Sequence, residues 1–546
     1  MDKIYGIDLG TSNCLVAEVI GGGRDTVIQC LPVEESSKAH SFRSVVHFSD
    51  PEHCIIGETA EHKLLEHPDQ TIELIKTRIG KEKSVEIKFE ESKLIREYSP
   101  QELAAFLLQH IHRMHPNKVK KAVLTVPADF DREKKAVTKQ VGDLAEIEIV
   151  ELIEEPSAAI MYYLYKTTTQ EEVKKLKDQP KNYLVFDFGG GTLDLSLIQV
   201  SLDKNGNTSP SVIAIDGNPE LGGNLIDLQF CKYIIDEVLT REYSYDPFVH
   251  QVAEEFAYYM KYLRFRKKTD LAVKKFILSL KKGLEEVKIL LSEEDEVTYE
   301  FPLITYDDIE ISREEFEAEI LDTYFRTPVT NALENIQKKN TKRLQIDQIL
   351  FVGGTSRIPY FRTLINDIFP GADQRIIMFD EYDTAIAKGA AILGAIINNQ
   401  SIPPFDFNRC RSTVANSILI EHFNTDELVV PFGTQFPFPT PIEKKFAIRH
   451  SLNTFIDIEV KEQIGTSDRY RTIKKAQFYH PFYYTDETVT VLLQIDQYGI
   501  VYVSAIHDVT DEAVDFRMKP LYVLEDNVVE EKKAHIKRVS GQIGSY

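Results

Sequence analysis

The stretch Asp187-Phe188-Gly189-Gly190-Gly191-Thr192 constrains this chain more than any other. The apolar run Tyr183 to Phe186 precedes it, and Leu193 to Val200 follows with period-two alternation, which predicts two strands joined by a tight hairpin. Three glycines leave the turn bare of Cβ atoms, so successive backbone N–H groups can converge on one anion. Asp187 and Asp194 flank the turn. A carboxylate beside a phosphate points to a metal ion or an activated water between them. Taken alone, the stretch fits an ordinary Gly-rich hairpin equally well.

The theme recurs, and recurrence decides between those readings. Ile4-Tyr5-Gly6-Ile7-Asp8-Leu9-Gly10-Thr11-Ser12-Asn13 is again strand, Asp-x-Gly, Thr, followed by the strand-like Cys14 to Val19. A phosphate held by two such turns is gripped from both sides. A third glycine pair, Gly353-Gly354-Thr355-Ser356-Arg357, follows the apolar run Ile349 to Val352 and precedes a helical pattern. A strand–Gly–helix corner of this kind suits the sugar or phosphates of a nucleotide.

At 546 residues the chain is too long for one ordinary core, so two or more domains are expected. Its net charge of -22 argues against nucleic acid or an anionic membrane as partner of the whole chain. The basic stretch Lys261 to Lys268 reads as a solvated helix face. No apolar run is long enough to span a membrane, and the chain runs straight into a strand without a leader pattern. Five scattered cysteines without a CxxC pair predict neither a disulfide framework nor a zinc site, and a cytoplasmic location.

Along the chain, Thr71 to Gly80 reads as a helix. Ser99-Pro100-Gln101-Glu102 carries a capping box, with Pro in the first turn. Ala122 to Val126 is a buried-type strand closed by Pro127, and Asp131 opens a polar helix. Ile147 to Ile153 leads into Glu154-Glu155-Pro156-Ser157-Ala158-Ala159, where Pro156 begins a helix. Glu155 at that corner either orders a water or cation or caps the helix dipole. After Leu221-Gly222-Gly223-Asn224 a helix is expected from Ile226 to about Leu239. Glu285 and Lys288 share one helix face, as a salt bridge or as a pair for a ligand's hydroxyls. The small residues from Asp383 to Ala391 suit a helix packed closely on a Gly-rich corner. Beyond about 396 a polar, Pro-bearing linker gives way to a β-rich region, 412–519, read as an antiparallel sandwich; 526–539 looks helical and charged.

These motifs, in this order, resemble the heat shock protein 70 family along nearly the whole chain. Those that match are Gly6 to Thr11, Val126-Pro127-Ala128, Glu155 to Ala159, Phe186 to Thr192, Leu221-Gly222-Gly223, Val352 to Pro359, Gly389-Ala390-Ala391, and Gly499-Ile500 with Val503-Ser504-Ala505. The resemblance implies a two-lobed actin-like α/β ATPase domain with ribonuclease H-like halves (1–396) and a linker (397–411). An all-β peptide-binding-type sandwich (412–519) and a short helical remnant of the lid (520–546) would follow. It implies ATP or ADP with Mg²⁺ as ligands. Gly10, Thr11 and Ser12 would form the first phosphate loop and Gly189, Gly190, Gly191 and Thr192 the second, with Gly222 and Gly223 beside them. Asp8, Glu155 and Asp187 would order the metal and the attacking water, with Asp194 linked to metal or water, and Lys76 would offset charge at the γ-phosphate. Glu285, Lys288, Ser292, Gly353, Gly354, Arg357 and Asp383 would hold the adenosine. Phe436, Phe446, Ile456 and Ile458 would line the peptide pocket.

The implied function is an ATP-dependent chaperone for unfolded polypeptide. The alternative is a nucleotide-responsive interaction protein, a partner of another chaperone or exchange factor. Three departures bear on this choice. The linker lacks the family's leucine run, and Glu151 and Glu154 stand where the family has Arg and Asn for the aspartate of a J-domain, so repulsion is expected there. Lys135 replaces the family's relay arginine.

Overall fold

A computed structural model describes residues 2–541 apart from 33–39, 90–92, 116–118, 203–207, 267, 303–305, 341–342, 401, 403–416, 423–424, 432–433, 435–439, 448–454, 464–469, 480–487, 497–500, 510–512 and 517–521. The duplication read in the sequence becomes a duplicated sheet. In the first lobe β1 (Ile4–Leu9), β2 (Asn13–Ile20) and β3 (Val27–Cys30) form an antiparallel meander. Then β4 (Lys121–Val126) joins β1 in parallel, and β5 (Glu148–Glu154) joins β4. In the second lobe β6 (Lys181–Phe188), β7 (Leu193–Leu202) and β8 (Thr208–Asn218) repeat the meander. Next, β9 (Gln348–Val352) adds in parallel to β6, and β10 (Ile376–Met378) to β9. Both lobes thus place an Asp-bearing hairpin at the same point of the same topology.

Local sequence accounts for the helices that support these sheets. Helix α1 (Pro100–Met114) starts at Ser99, whose side chain accepts from the Glu102 N–H while the Glu102 carboxylate accepts from the Ser99 N–H, so the capping box is formed. Helix α2 (Arg132–Leu144) is capped by Asp131. Helix α3 (Glu155–Thr167) follows β5 directly, with Pro156 in its first turn. Helices α4 (Gly223–Tyr233), α5 (Pro247–Tyr262) and α6 (Leu271–Leu290) build the second lobe. Helix α7 (Ala385–Ile397) lies against α3 in the core between the two sheets, with Ala158, Ala159, Ala387, Ala390 and Ala391 all buried there. Small residues permit that approach: an added Cβ on Gly389 would strike the backbone of Ala158, and one on Gly6 the backbone of Ala391.

Residues 417–516 hold two four-stranded antiparallel sheets. One orders Thr425–Val430, Ile418–His422, Phe455–Gln463 and Tyr470–Tyr479; the other orders Ile442–Ala447, Thr488–Ile495, Val501–His507 and Ala513–Phe516. Alternating residues of both, among them Ile420, Val460, Val491 and Val503, share one apolar core. Phe446 and Ile458, named for a peptide pocket, lie inside that core, at 7% and 0% exposure, and offer no open surface to a ligand. Phe436 lies outside the described residues, as does the side chain of Ile456.

Three local expectations change. The predicted helix over 71–80 is a short strand, Thr71–Ile72, and one helical turn, Ile75–Arg78, because Leu74 adopts a left-handed φ of 57° that breaks the run. The helix expected to reach Leu239 does reach it, but widens to π geometry over Ile234–Leu239. The expected tail is helix α8 (Asp526–Gly541), and it is not free: Val529, Ile536 and Val539 are buried in the core of the first lobe with residues of α1 and α2. Burial of such side chains stabilises by roughly 1.5–3 kcal/mol each. Among the described residues no helix is long and apolar enough to cross a membrane.

Candidate functional site

The two Asp hairpins meet tip to tip across the cleft. An added Cβ on Gly191 would lie 2.6 Å from the Thr11 hydroxyl, and one on Gly190 would collide with the Ser12 hydroxyl. Gly189 N–H donates to the Thr192 carbonyl at 3.0 Å, closing the second loop. Gly223 and Asn224 donate to the Gly189 and Gly190 carbonyls at 3.0 and 2.8 Å, so the N-terminus of α4 buttresses that loop. The Thr355 hydroxyl donates to the Gly189 carbonyl at 2.9 Å and ties in the third glycine pair. Gly353 has φ of 80°, and a Cβ there would strike the Phe188 carbonyl and Asp187. The first loop is held by Ser44, whose hydroxyl donates to the Gly10 carbonyl at 2.8 Å.

Beneath the loops lies a buried cluster of carboxylates around one ammonium. Asp187 and Asp194 are direct cross-strand neighbours on β6 and β7, and Asp8 stands on β1. Lys76 reaches Glu155 in a buried ion pair at the β5–α3 corner. Asp8 accepts from Thr125 at 2.8 Å, and Asp194 from Thr192 at 2.7 Å. The second carboxylate oxygen of Asp187 is buried without a hydrogen-bond partner, as is one oxygen of Asp129.

Electrostatics follows from this crowding. Burial, then Glu155 and Asp8, hold the Asp187 carboxyl well above the usual range. Burial, then Asp129 and Glu155, do the same for Asp194. Burial also raises Glu155 and Asp8, with Lys76 opposing in both. For Lys76 itself burial works against the charge, but Glu155 and Asp8 outweigh it and raise the ammonium. The cluster therefore lacks positive charge, and its orphan oxygens await a donor or a cation. Among the described residues no three His, Cys, Asp or Glu converge closely enough to cage a metal.

Between the lobes opens a cavity of about 360 Å³, lined on one side by Thr11, Ser12 and Arg43 and on the other by Gly190, Gly223, Glu285, Lys288, Ser292, Gly354 and Arg357. The structure thus brings most of the expected adenosine residues together. Asp383 stands apart, exposed outside the lining. Lys288 and Glu285 do not bridge each other: Lys288 turns to Asp227 at 2.6 Å, while Glu285 faces Arg43 of the other lobe at 3.6 Å. Arg357 lies 4.8 Å from the Tyr382 ring centroid, and half-exposed Ile289 stands at the cavity edge. Two further bridges, Lys281–Glu73 at 2.6 Å and Lys274–Asp69 at 2.8 Å, span the two lobes. Sequence reasoning missed Asp227, Arg43, Glu73, Lys281 and Asp129. Asp129 stands one residue beyond the matched Val126-Pro127-Ala128, which could have flagged it.

A family model described as Hsp70 protein matches residues 4–255 and 250–540. The chain belongs to the Hsp70 family. Curated Hsp70-type relatives named Chaperone protein DnaK agree. Those from Thermosipho melanesiensis and Thermosipho africanus are 31% and 32% identical over 410 and 411 residues, which is 72% of this chain and 59% of theirs. That of Nitrosopumilus maritimus is 30% identical over 417 residues, 73% of this chain and 56% of its own. The chain thus spans under two thirds of the length of these relatives.

Family membership sharpens one departure. Glu154, at a position where repulsion of a J-domain was expected, is buried and paired with Lys135 at 2.9 Å. Its charge is spent internally, so the expected repulsion loses one of its two sources.

Asp187→Asn removes an ionisable group whose charged form burial, Glu155 and Asp8 all disfavour. Without nucleotide the variant is expected to melt higher than the parent, by about 1 °C for about 1 kcal/mol. With Mg²⁺ and ATP the order reverses, because the parent gains more from the ligand. Calorimetry with and without Mg-ATP checks both; a variant stabilised equally by the ligand removes Asp187 from the site.

Proposed function

We propose that this chain hydrolyses ATP and uses the nucleotide state to control binding of unfolded polypeptide. One observation carries the reading: two Gly hairpins from opposite lobes meet over a buried Lys-carboxylate cluster, beside a cavity of nucleoside size. The loop N–H groups cradle the β- and γ-phosphates. Arg357 and Ile289 flank the base, and Glu285, Lys288 and Ser292 receive the ribose. Lys76 brings positive charge to the γ-phosphate, and Glu155 fixes its position. Asp187, with its free oxygen, orients the attacking water, and Thr192 and Asp8 steady the same region. Asp8, Asp187 and Asp194 would hold a Mg²⁺, which when bound would supply charge neutralisation on the phosphates.

The β-rich segment is the polypeptide-binding element, and the domain limits follow those of the family, with the break after α7. Partners of the class are unfolded segments and an exchange factor or second chaperone. A J-domain partner would meet Glu151 but not a free Glu154. Among the described residues, four free, buried cysteines fit a cytoplasmic location.

ATP turnover measured with and without an unfolded peptide tests the proposal. Peptide-stimulated turnover is expected, by several-fold. Binding of ATP with no response to peptide would leave a nucleotide-responsive interaction protein instead.

A further inference from the structure

Helix α8 and the segment before it are fastened to the first lobe at both ends. Gln101 donates to the Tyr522 carbonyl at 2.8 Å, and the Tyr522 N–H donates to Glu133 at 2.9 Å. Gln140 exchanges two hydrogen bonds with Leu524, at 3.0 and 2.9 Å. Along the helix Lys532 pairs with Glu102 at 3.1 Å, Lys537 with Glu146 at 3.1 Å and Arg538 with Glu52 at 2.6 Å.

At the centre of this interface, where an apolar residue would be expected, stands His535. It is 6% exposed, its ring 6.0 Å from that of Tyr98 and 6.4 Å from that of Phe106. Neither ring nitrogen makes a well-formed hydrogen bond, and the Pro51 carbonyl is the backbone acceptor that acts on the ring. We propose that α8 is a pH-sensitive latch: a neutral His535 keeps it seated on the first lobe, and protonation of His535 releases it.

On balance the surroundings favour the neutral ring. From the strand Leu94–Tyr98, Arg96 opposes a second positive charge. Arg538, on α8 itself, does the same. Two groups favour protonation, Glu52 and the Pro51 carbonyl, and each is shared with an arginine: Glu52 accepts from Arg538 and the Pro51 carbonyl from Arg96 at 3.1 Å. Glu102 of α1 is held by Lys532 and by the capping box. Cys54 of the strand His53–Ile56 is buried nearby, its thiol pushed up to about 12 by burial, and so carries no charge. Burial first, then Arg96, depress the docked imidazole from an ordinary 6.5 to about 4. The released imidazole titrates at its ordinary value, so the docked state binds fewer protons. Docking is therefore fully favoured above 6.5 and weakens as pH falls from 6.5 towards 4. At pH 5 the docking equilibrium should be about 30-fold weaker than at pH 7.5. An isolated 16-residue helix is marginal in water, so release also exposes its amides.

Hydrogen exchange of the full chain, corrected for intrinsic rates, reads this directly. Protection of the α8 amides should fall about 30-fold between pH 7.5 and pH 5 in the parent, and less than about threefold in His535→Phe. His535→Leu repeats the comparison should the larger ring overpack. If both variants lose protection as steeply as the parent, other groups release the helix and the proposal fails. A dependence of protection on protein concentration would also overturn it, by showing that α8 seats on a second copy.

Discussion

Lys76→Ala is expected to lower single-turnover ATP hydrolysis by about two to three orders of magnitude, with nucleotide affinity changed far less. The size follows from losing one preorganised charge in a buried site. The loss also has a folding consequence. Lys76 is the ammonium that reaches Glu155 in the buried ion pair, and its charge also acts on Asp8. Removing it strands those carboxylates, at a cost of about 3–5 kcal/mol where the charge cannot be relieved. Relief is available by protonation: burial already raises Glu155, and losing the cation raises it further. A carboxyl whose folded pKa lies above its unfolded one destabilises as pH rises, so the variant should be weaker at pH 8 than at pH 6. Adding Glu155→Gln should restore most of the stability and none of the hydrolysis. Denaturant titration of both variants at the two pH values, beside quenched-flow hydrolysis, separates the roles. A Lys76→Ala protein that hydrolyses normally would remove the lysine from the reaction.

The largest stability effect of a single methyl group should come from Gly389→Ala. Its Cβ would overlap the carbonyl oxygen and carbon of Ala158, which are backbone atoms of α3 and cannot swing aside as a side chain would. Overpacking of this kind costs about 1–3 kcal/mol and occasionally more, and the rigid partner places this site at about 3 kcal/mol or above. The midpoint of denaturation should drop without a change in slope. Glu155 lies one turn before Ala158 on the same helix, so nucleotide affinity should fall too. A cost under 1 kcal/mol would mean that α3 and α7 do not lie as close as described.

Much of the site was legible because its parts are local. The hairpins at Asp8 and Asp187, the capping box at Ser99 and the strand-to-helix corner at Glu155 are each specified within about ten residues. Short-range sterics and hydrogen bonds fix such units wherever they lie in the fold. What was missed depends on partners far apart in the chain. Asp227 is pushed up to about 6 by burial despite Lys288, which stands 61 positions away. Glu285 could have bridged Lys288 on its own helix, but Arg43 and the buried Asp227 engage the two from other elements. Glu154, read as a free charge, is buried against Lys135 of α2. Phe446 and Ile458 alternate as strand residues should, yet alternation alone does not say which face the second sheet covers, and it covers theirs.

By itself, then, the sequence determined the repeated β-hairpins, the family and the chemistry of the loops, because glycine, proline and acidic residues act on their immediate neighbours. Only the tertiary structure decided which carboxylates share one desolvated space, that Lys76 is the ammonium paired with Glu155 there, and that the last helix seats around His535 on the first lobe. Burial and through-space charge are sums over the whole fold, and no local stretch of residues contains them.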